Sequence, residues 1–501
     1  MLKPIKVVDL FAGPGGLGEG FSSVGADSSP TFKIVASIEK EESAHKTLTL
    51  RAFVREFPNK QPPLEYYQYL RKEIDKKTLI ETYPEEWCAA QKETFGTPLS
   101  LGKDNELIYS GISEALGDDE EPWVLIGGPP CQAYSIAGRA KNKSIVNYVA
   151  ELDPRNFLYK EYLAIIAKYE PTVFVMENVK GILSSTPLGT PIFGKILEDL
   201  RKPKLGGPEY KIYSLSTMTG KSDTNGPIYA PKDFIIRAEE YGVPQCRHRV
   251  ILLGVRSNLT LNPASLLLTK TDHVTVKSTL TNMPKLRSGL SKELDTAVNW
   301  QALTKSALTE ANQSINETGK QLTIEEQPSS RGAAFIRAKK TLSEIMPKPL
   351  YDWLSDDKIK GVIQHESRGH MSSDIERYSY VSLYGQIHDK SPRINELPIN
   401  LLPNHKNINS GNHVDRFRVQ LANHPSKTIT SHIAKDSHQF IHYDPSQARG
   451  LTVREAARLQ TFPENYFFEG TRTQQYVQVG NAVPPYLAIQ IGNIIGKILR
   501  G

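Results

Sequence analysis

The segment GGPPCQAYS, residues 127–135, places a cysteine directly after two glycines and two prolines. It follows the apolar run of residues 123–126, which is typical of a buried strand. The prolines restrict the backbone, and the glycines allow a ligand to approach it closely. Cys131 therefore suits a nucleophile, which needs exposure, a fixed direction and surroundings that favour the thiolate. The alternative is a small buried hydrophobe, which the polar, cation-containing segment after Cys131 disfavours.

Two more segments place polar groups next to apolar runs. In VFVMENVKG, Glu177 follows four apolar residues, so a parallel sheet would bring it beside Cys131 at the carboxyl edge, where a carboxyl group can act as an acid. The alternative is that Glu177 lies on the surface and Asn178 caps the N-terminus of a helix. In QCRHRVILLGV, Arg247 and Arg249 alternate ahead of an apolar run and share one face. They can hold a carbonyl or a carboxylate there; a surface pair of arginines is the alternative.

The segment VVDLFAGPGGLGEGF predicts a strand, a tight turn and a helix. Residues 13–18 satisfy G-x-G-x-x-G, a dinucleotide-binding pattern that is weak evidence alone and also fits a turn without ligand. Asp9 and Phe11 bring an acid and an aromatic ring to this turn. These groups suit a sulfonium cofactor with an amino acid tail and an adenine better than a pyrophosphate. Glu39, at the end of the next strand, can hold ribose hydroxyls of either cofactor.

Positioning these groups requires an ordered sheet, and the pattern of the first half of the chain predicts one. Short apolar runs alternate with amphipathic stretches such as residues 157–169, which favours a doubly wound, mostly parallel α/β sheet. Predicted strands cover residues 5–10, 33–38, 123–126, 172–176 and 250–255. Residues 45–105 resemble an insertion with helical spacing at residues 66–80. After residue 265 the periodicity weakens, which indicates a second, smaller domain or long ordered loops, until helical patterns return at residue 451.

Composition sets wide limits on function. The 501 residues carry 61 basic and 55 acidic side chains, a net charge of +6, which permits a polyanionic partner without requiring one. Three cysteines form no regular framework, so we expect a reducing compartment. No apolar run is long enough for a signal peptide core or a bilayer span, so we expect a cytoplasmic protein without membrane attachment. The histidine spacing at residues 365–378 is not diagnostic, and we predict no metal.

Six segments, taken in order, resemble the DNA (cytosine-5)-methyltransferase family: DLFAGPGG, GGPPCQAYS, MENVKG, QCRHR, LTVREAARLQTFP and QVGNAVPP. Their order and their spread over nearly the whole chain make the resemblance specific. It implies a methyltransferase-type sheet, S-adenosyl-L-methionine as cofactor and cytosine in duplex DNA as target. It also implies a catalytic and cofactor-binding domain at residues 1–265, a target-recognition domain at residues 266–445, and a C-terminal segment, residues 446–501, that returns to the catalytic domain.

The chemistry of carbon 5 methylation agrees with these residues. Carbon 5 of cytosine is a poor nucleophile, and addition of the Cys131 thiolate to carbon 6 would make it reactive. Protonated Glu177 would bind ring nitrogen 3, Arg249 would hold the 2-carbonyl oxygen, and Arg247 would help to fix the site. The base must leave the stack to reach these groups, at a cost of a few kcal/mol.

The resemblance also implies further contacts. The cofactor-binding residues are Asp9, Phe11, Ala12, Gly13, Gly15, Gly16, Glu39, Pro129, Leu158, Asn481 and Ala482. The candidate DNA contacts near Cys131 are Gln132, Ser135 and Arg139. The segment DRFRVQLANHPSKTITSHIAKD offers further candidates by its side chains alone, which can reach bases or phosphates: Arg416, Arg418, Thr428 and Thr430. The family carries an acid at the end of its third strand, near the adenine amine. Here we match LIYSGISEAL to that position, which puts Ser110 and Gly111 there and leaves Asp104 as another candidate.

Three other functions remain open. A catalytically silent DNA-binding homologue would not need the four residues that we assign to catalysis, and all four are present. An RNA methyltransferase of this family would tend to have a smaller recognition region, and a nicotinamide oxidoreductase would leave the PPC, ENV and GNAVPP segments unexplained. A compact single chain suggests a prokaryotic or phage restriction–modification enzyme, monomeric, with a possible cognate restriction endonuclease acting separately.

Overall fold

A computed structural model of the chain describes residues 3–25, 30–58, 61–118, 121–130, 158–184, 192–224, 226–315, 326–403 and 416–500. The helices in these ranges are α1 (Gly16–Ser23), α2 (Glu42–Arg55), α3 (Leu64–Leu70), α4 (Lys76–Thr82), α5 (Pro84–Glu93), α6 (Asn105–Leu116), α7 (Leu158–Tyr169), α8 (Ile192–Arg201), α9 (Val276–Leu280), α10 (Ala297–Ile315), α11 (Lys348–Leu354), α12 (Ser372–His388), α13 (Val453–Leu459), α14 (Arg472–Asn481) and α15 (Pro485–Arg500). The strands are β1 (Ile5–Leu10), β2 (Phe32–Ile38), β3 (Trp123–Gly127), β4 (Val173–Val179), β5 (Tyr210–Tyr213), β6 (Ser222–Asp223), β7 (Gly226–Pro227), β8 (Ile235–Arg237), β9 (Gln245–Cys246), β10 (His248–Arg256), β11 (Gly289–Leu290), β12 (Gly332–Arg337), β13 (Gly361–Glu366), β14 (Gly369–His370) and β15 (Ser426–Lys427).

The largest sheet of the described residues has seven strands in the order β2-β1-β3-β4-β10-β5, with β8 also paired to β10. Strands β1 to β4 pair in parallel. Strand β10 runs antiparallel to its neighbours β4, β5 and β8. The predicted strands coincide with β1 to β4 and β10, so the predicted α/β sheet is confirmed. The antiparallel direction of β10 brings its first residues, rather than its last, to the edge where β1 to β4 end.

Helices cover both faces of this sheet, which is the doubly wound arrangement that the sequence predicts. Val7 of β1 belongs to a core that includes Phe21 of α1 and Leu487 of α15. Val8, which points the other way, belongs to a core that includes Tyr162 of α7. The strands are thus buried on both sides, as their continuous apolar runs require.

The insertion of residues 45–105 is mostly helical. The predicted helical spacing at residues 66–80 corresponds to α3 and α4, with a break between Leu70 and Lys76. Apolar side chains of α2 and α3 share a core with Ile359 and Ile363, which lie after residue 265. The insertion therefore packs against both the sheet domain and the region that follows it.

The stretch LIYSGISEAL does not end a strand, and our match of Ser110 and Gly111 to the strand end is wrong. The stretch lies in α6, because Ile108 and Ile112 are four residues apart and bury on one helix face. The third strand is β3, and the segment that reaches the edge beside Glu39 is earlier in the chain, where the Leu99 amide donates to the Glu39 carbonyl oxygen (3.0 Å). Asp104 accepts from the Ser100 amide (2.8 Å) in the turn that follows.

Residues 266–445 contain more regular structure than their weak periodicity suggests. Helices α10 and α12 have 19 and 17 residues and pack together through a core that includes Leu308 and Tyr378. The pattern of α12 is obscured because polar residues occupy buried positions, among them Ser379, Ser382 and the ion pair of Arg377 with Asp374 (3.0 Å).

One helical stretch of the described residues, Arg472–Arg500, is long and apolar enough by composition to cross a membrane. This stretch includes α14 and α15, and 61% of its most apolar window is buried in the fold. Leu487, Ile491 and Ile495 belong to the core beneath the sheet. Buried core helices can have the same length and apolar composition, so this stretch is weak evidence of a membrane span.

Three buried histidines, His365, His370 and His442, surround the start of α13. Burial lowers the pKa of His365 and of His442 to about 4, and that of His370 to about 3. An unfolded histidine takes up its proton near pH 6.5. Between pH 6.5 and pH 4 these histidines therefore bind a proton in the unfolded chain but remain neutral in the folded chain. As the pH falls through this range, each of them lowers the free energy of unfolding.

We expect His370→Asn to lose less stability on acidification than the native chain. The substitution removes one such histidine, so the difference in unfolding free energy between the two proteins should shrink by about 1.4 kcal/mol per pH unit below pH 6.5. Urea unfolding between pH 6.5 and pH 4.5 measures this difference. His273→Asn is the control, because His273 is exposed. A constant difference between native chain and His370→Asn would contradict the prediction.

Candidate active site

The glycine loop, residues 11–16, joins β1 to α1 with an unusual backbone. Phe11, Gly13 and Gly15 have φ angles of 57°, 58° and 95°, in the left-handed region. The Ala12 amide donates to the Ile38 carbonyl oxygen at the end of β2 (3.0 Å). A Cβ added to Gly13 would meet no atom within 4 Å, so space is open above the loop at this point.

Glu39 links the glycine loop to the end of β2. Its Oε2 accepts from the Gly13 amide (2.8 Å), and its Oε1 accepts from the amides of Lys40 (2.9 Å) and Glu41 (2.7 Å). Burial raises the pKa of Glu39 above its usual value, and these hydrogen bonds oppose that shift. A carboxylate has about four acceptor positions, so about one remains for a ligand hydroxyl. Glu39 thus holds the glycine loop through the Gly13 amide and still offers a carboxylate oxygen to a ligand hydroxyl.

Asp9 lies beneath the loop rather than on its surface. Its side chain is fully buried against α1, where a Cβ on Gly18 would be 3.1 Å from its Oδ2. Burial raises its pKa to about 8.

The C-terminal segment completes the loop from the other side. Gly16 is required by close packing, because a Cβ there would lie 2.2 Å from the Val483 carbonyl oxygen. Asn481 is exposed and Ala482 is buried just before this contact, so both predicted residues lie next to the loop. Leu158 is half-buried as the first residue of α7.

Glu177, the predicted acid, meets the GGPP segment, residues 127–130, at the end of β4. A Cβ on Gly128 would be 2.9 Å from Glu177 Oε2, so the Glu177 carboxylate lies directly against the GGPP backbone. The Asn178 side-chain amide donates to the Pro129 carbonyl oxygen (3.1 Å). Pro129 is buried, whereas Cys131 lies outside the described residues. The backbone that leads to Cys131 is therefore fixed by the two residues that follow the apolar part of β4.

The two arginines of QCRHR have different partners. Arg249 Nε lies 2.8 Å from Glu177 Oε1, and both side chains are largely buried. Arg247 is 1% exposed and donates to backbone carbonyl oxygens of the C-terminal third of the chain. The acceptors are Ile429 (3.0 Å), Gly480 (3.2 Å) and Asn481 (3.4 Å). Arg249 thus pairs with Glu177, while Arg247 bonds to the backbone of segments that lie much later in the chain.

The candidate DNA contacts fall into three groups. Gln132, Ser135 and Arg139 lie outside the described residues. Arg416 and Arg418 are half-buried, Arg416 beside the Phe417 ring. Thr428 and Thr430 lie close to the QCRHR segment: the Thr428 hydroxyl donates to the Cys246 carbonyl oxygen (2.5 Å), and a Cβ on Gly480 would be 2.4 Å from the Thr430 carbonyl carbon. Thr428 therefore bonds to the QCRHR backbone, and Thr430 packs against Gly480 at the end of α14.

In the part of the chain that the structure describes, no cluster of three or more His, Cys, Asp or Glu side chains could hold a metal ion. His365, which begins the histidine-containing segment, uses both ring nitrogens in hydrogen bonds, to the Thr452 hydroxyl (2.9 Å) and the Pro284 carbonyl oxygen (2.8 Å).

Comparison with known proteins defines the class of this fold and site. The fold resembles the crystal structure of a protein described as a DNA modification methyltransferase encoded within an E. coli prophage. The TM-score is 0.54, with 19% identity, over 99% of this chain and all of the other. Residues 66–497 match the C-5 cytosine-specific DNA methylase family. The chain belongs to this family and is a DNA (cytosine-5)-methyltransferase, as the six segments predict.

Curated relatives match over nearly the whole chain. The type II methyltransferase M.Bpa9945I of Bacillus paralicheniformis is 31% identical over 99% of both chains. The type II methyltransferase M.AgeI of Thalassovita gelatinovora is 25% identical over 96% of this chain and 97% of its own. The type II methyltransferase M.DdeI of Desulfomicrobium norvegicum is 24% identical over 97% of this chain and 86% of its own.

Proposed function

We propose that this enzyme transfers a methyl group from S-adenosyl-L-methionine to carbon 5 of a cytosine flipped out of a specific duplex sequence, through a covalent adduct with Cys131. The observation that carries the proposal is the placement of Glu177 against Gly128, on the backbone that leads to Cys131. Glu177 and the GGPP segment lie at the same sheet edge as the glycine loop. In open α/β sheets, ligands bind at this edge.

The residues of the glycine loop suit the proposed cofactor. Glu39 has an acceptor for a ribose hydroxyl, and the open space above Gly13 allows close approach of a ligand. Phe11 offers an aromatic ring, and the exposed Asn481 side chain borders the loop. We assign Ala12, Gly15, Gly16, Pro129, Leu158 and Ala482 to the walls of this site. The bound cofactor supplies an electrophilic methyl group on a sulfonium sulfur.

The side chains that follow β3 and those that meet at the end of β4 and the start of β10 would prepare the base. The Cys131 thiolate would add to carbon 6, and the electron pair of the ring double bond would then be available at carbon 5. Glu177 would donate a proton to ring nitrogen 3, which draws electrons into the ring. Arg249, now paired with Glu177, would share its guanidinium with the 2-carbonyl oxygen. After methylation, loss of the carbon 5 proton to solvent and expulsion of the Cys131 sulfur would restore the ring double bond, and return of the nitrogen 3 proton to Glu177 would leave neutral 5-methylcytosine.

We propose residues 266–445 as the target-recognition domain, between the catalytic domain of residues 1–265 and the returning segment of residues 446–501. A flipped base requires contacts that hold the opened duplex, and Arg416 and Arg418 can supply phosphate or base contacts from this region. Gln132, Ser135 and Arg139, in the loop after Cys131, would approach the duplex from the other side.

The names of the relatives support a restriction–modification role. Type II methyltransferases match over nearly their full length. We therefore propose that the enzyme works as a monomer in the cytoplasm and protects host DNA from a cognate restriction endonuclease that acts separately.

Base-resolution sequencing of DNA tests this function directly. The chain would be expressed in a host without cytosine methylation, and cytosine methylation would be read across the genome. We expect carbon 5 methylation in one short sequence, which would also reveal the target. Soluble, folded protein that leaves the DNA unmethylated would contradict the proposal and favour an RNA substrate or a silent homologue.

A further inference from the structure

Tyr466 links the C-terminal segment to the glycine loop. Its side chain is fully buried, and its hydroxyl donates to the Pro14 carbonyl oxygen, 452 residues earlier in the chain. Pro14 is itself buried and lies between Gly13 and Gly15, both with positive φ. A Cβ on Gly15 would be 3.1 Å from the Tyr466 hydroxyl oxygen. The hydroxyl therefore lies directly beneath the turn of the loop.

A buried arginine fixes the Tyr466 ring. The Arg51 guanidinium carbon lies 4.5 Å from the ring centroid, close enough for a cation–π interaction. Arg51 Nη2 pairs with Glu19 Oε1 of α1 (2.5 Å), and its Nη1 donates to Asn465 Oδ1 (3.0 Å). One cation thus connects the helix that begins at the glycine loop with the segment that carries Tyr466.

The ring has little freedom to move away from the loop. Phe462 and Phe468 contact it, with ring centroids 4.6 Å and 5.3 Å from its own. Because the ring is fixed by Arg51 and by these neighbours, the hydroxyl provides a fixed donor for Pro14. Loss of this donor would leave the buried Pro14 carbonyl oxygen without its hydrogen bond from Tyr466. Because Pro14 lies between two glycines, whose backbone can adopt many other conformations, the loop would relax.

We propose that Tyr466 is a positioning residue for the cofactor site, holding the glycine loop in its binding shape through the Pro14 carbonyl. The role rests on the proposed function, because the loop is proposed to bind S-adenosyl-L-methionine. Tyr466 contacts the loop from beneath and acts through the backbone, and it does not contribute to the proposed chemistry of Cys131 and Glu177.

The test compares Tyr466→Phe with a matched control, Tyr476→Phe. Both changes remove one hydroxyl from a fully buried tyrosine in the C-terminal segment. The Tyr476 hydroxyl donates to the Leu451 carbonyl oxygen (2.7 Å), outside the glycine loop. The full-length native chain and both variants would be titrated with S-adenosyl-L-methionine by calorimetry. Methylation kinetics would use genomic DNA from a methylation-free host, and urea unfolding would report stability.

We expect Tyr466→Phe to weaken cofactor binding about five- to fiftyfold and to raise the KM for S-adenosyl-L-methionine in parallel. The KM for DNA should stay within about twofold, and the urea midpoint should fall by no more than that of Tyr476→Phe. Equal cofactor affinity of the two variants would overturn the role of Tyr466 and leave the proposed function intact. A native chain that does not bind S-adenosyl-L-methionine would overturn the cofactor assignment and this inference with it.

Discussion

Replacing Cys131 with alanine is expected to reduce methyl transfer at least about a thousandfold while the affinity for S-adenosyl-L-methionine stays within about twofold. The reason is chemical, because carbon 5 becomes reactive only after a nucleophile adds to carbon 6. Alanine removes that nucleophile without changing the backbone of the GGPP segment. Incorporation of labelled methyl groups into genomic DNA from a methylation-free host measures the rate, and calorimetry measures cofactor affinity.

The other cysteines provide a contrast for this test. Cys88→Ala is the control, because Cys88 is exposed on α5. Cys246 is a poor alternative nucleophile, since burial raises the pKa of its thiol to about 11 and leaves it protonated at neutral pH. Turnover by Cys131→Ala within tenfold of the native rate would remove Cys131 from the mechanism.

The second large effect is expected from Glu177→Gln, which should lower kcat by roughly a hundred- to ten-thousandfold. Glutamine keeps the size of the side chain, but it cannot give a proton to ring nitrogen 3. The change also removes the charge that pairs with Arg249, so part of the loss would come from a displaced guanidinium. Cofactor affinity should change little, because Glu177 belongs to the end of β4 and Glu39 to the end of β2.

Glu170→Gln is the matched control for this substitution. Glu170 precedes the same strand at its opposite end, and its side chain lies 3.8 Å from Lys204. Its replacement should leave kcat within about twofold. If Glu177→Gln retained more than about a tenth of the native kcat, protonation of the ring by Glu177 would be ruled out as a major contribution.

Local sequence pattern was sufficient to predict the elements that carry the proposed chemistry. Glu39 and Glu177 were recognisable because each comes late in an apolar run that forms a strand of the sheet, and strand ends collect at one edge. Arg249 is recognisable from the pattern as a group that can hold a carbonyl or a carboxylate, but the pattern shows neither its pair with Glu177 nor the antiparallel direction of β10. That direction is what brings the start of β10 next to Glu177.

Contacts between distant segments could not be predicted in this way. Arg247 bonds to carbonyl oxygens about 180 to 230 residues further along the chain, and Tyr466 bonds to Pro14. Backbone carbonyl groups are present at every residue, so no local signal identifies them as partners. Similarly, α6 was mistaken for a strand end because its position relative to β3 depends on the fold of the preceding insertion.

The most direct test of the account is a covalent trap. After sequencing reveals the target, a duplex would carry 5-fluorocytosine at the methylated position. Addition of Cys131 and methyl transfer would leave fluorine and methyl on carbon 5 with no proton to remove, so the sulfur would stay bonded to carbon 6. We predict a complex that survives denaturation, forms only with S-adenosyl-L-methionine present, and yields after digestion a nucleotide-modified peptide at Cys131. Methylation of the normal duplex without any such complex, or an adduct on another residue, would contradict the account.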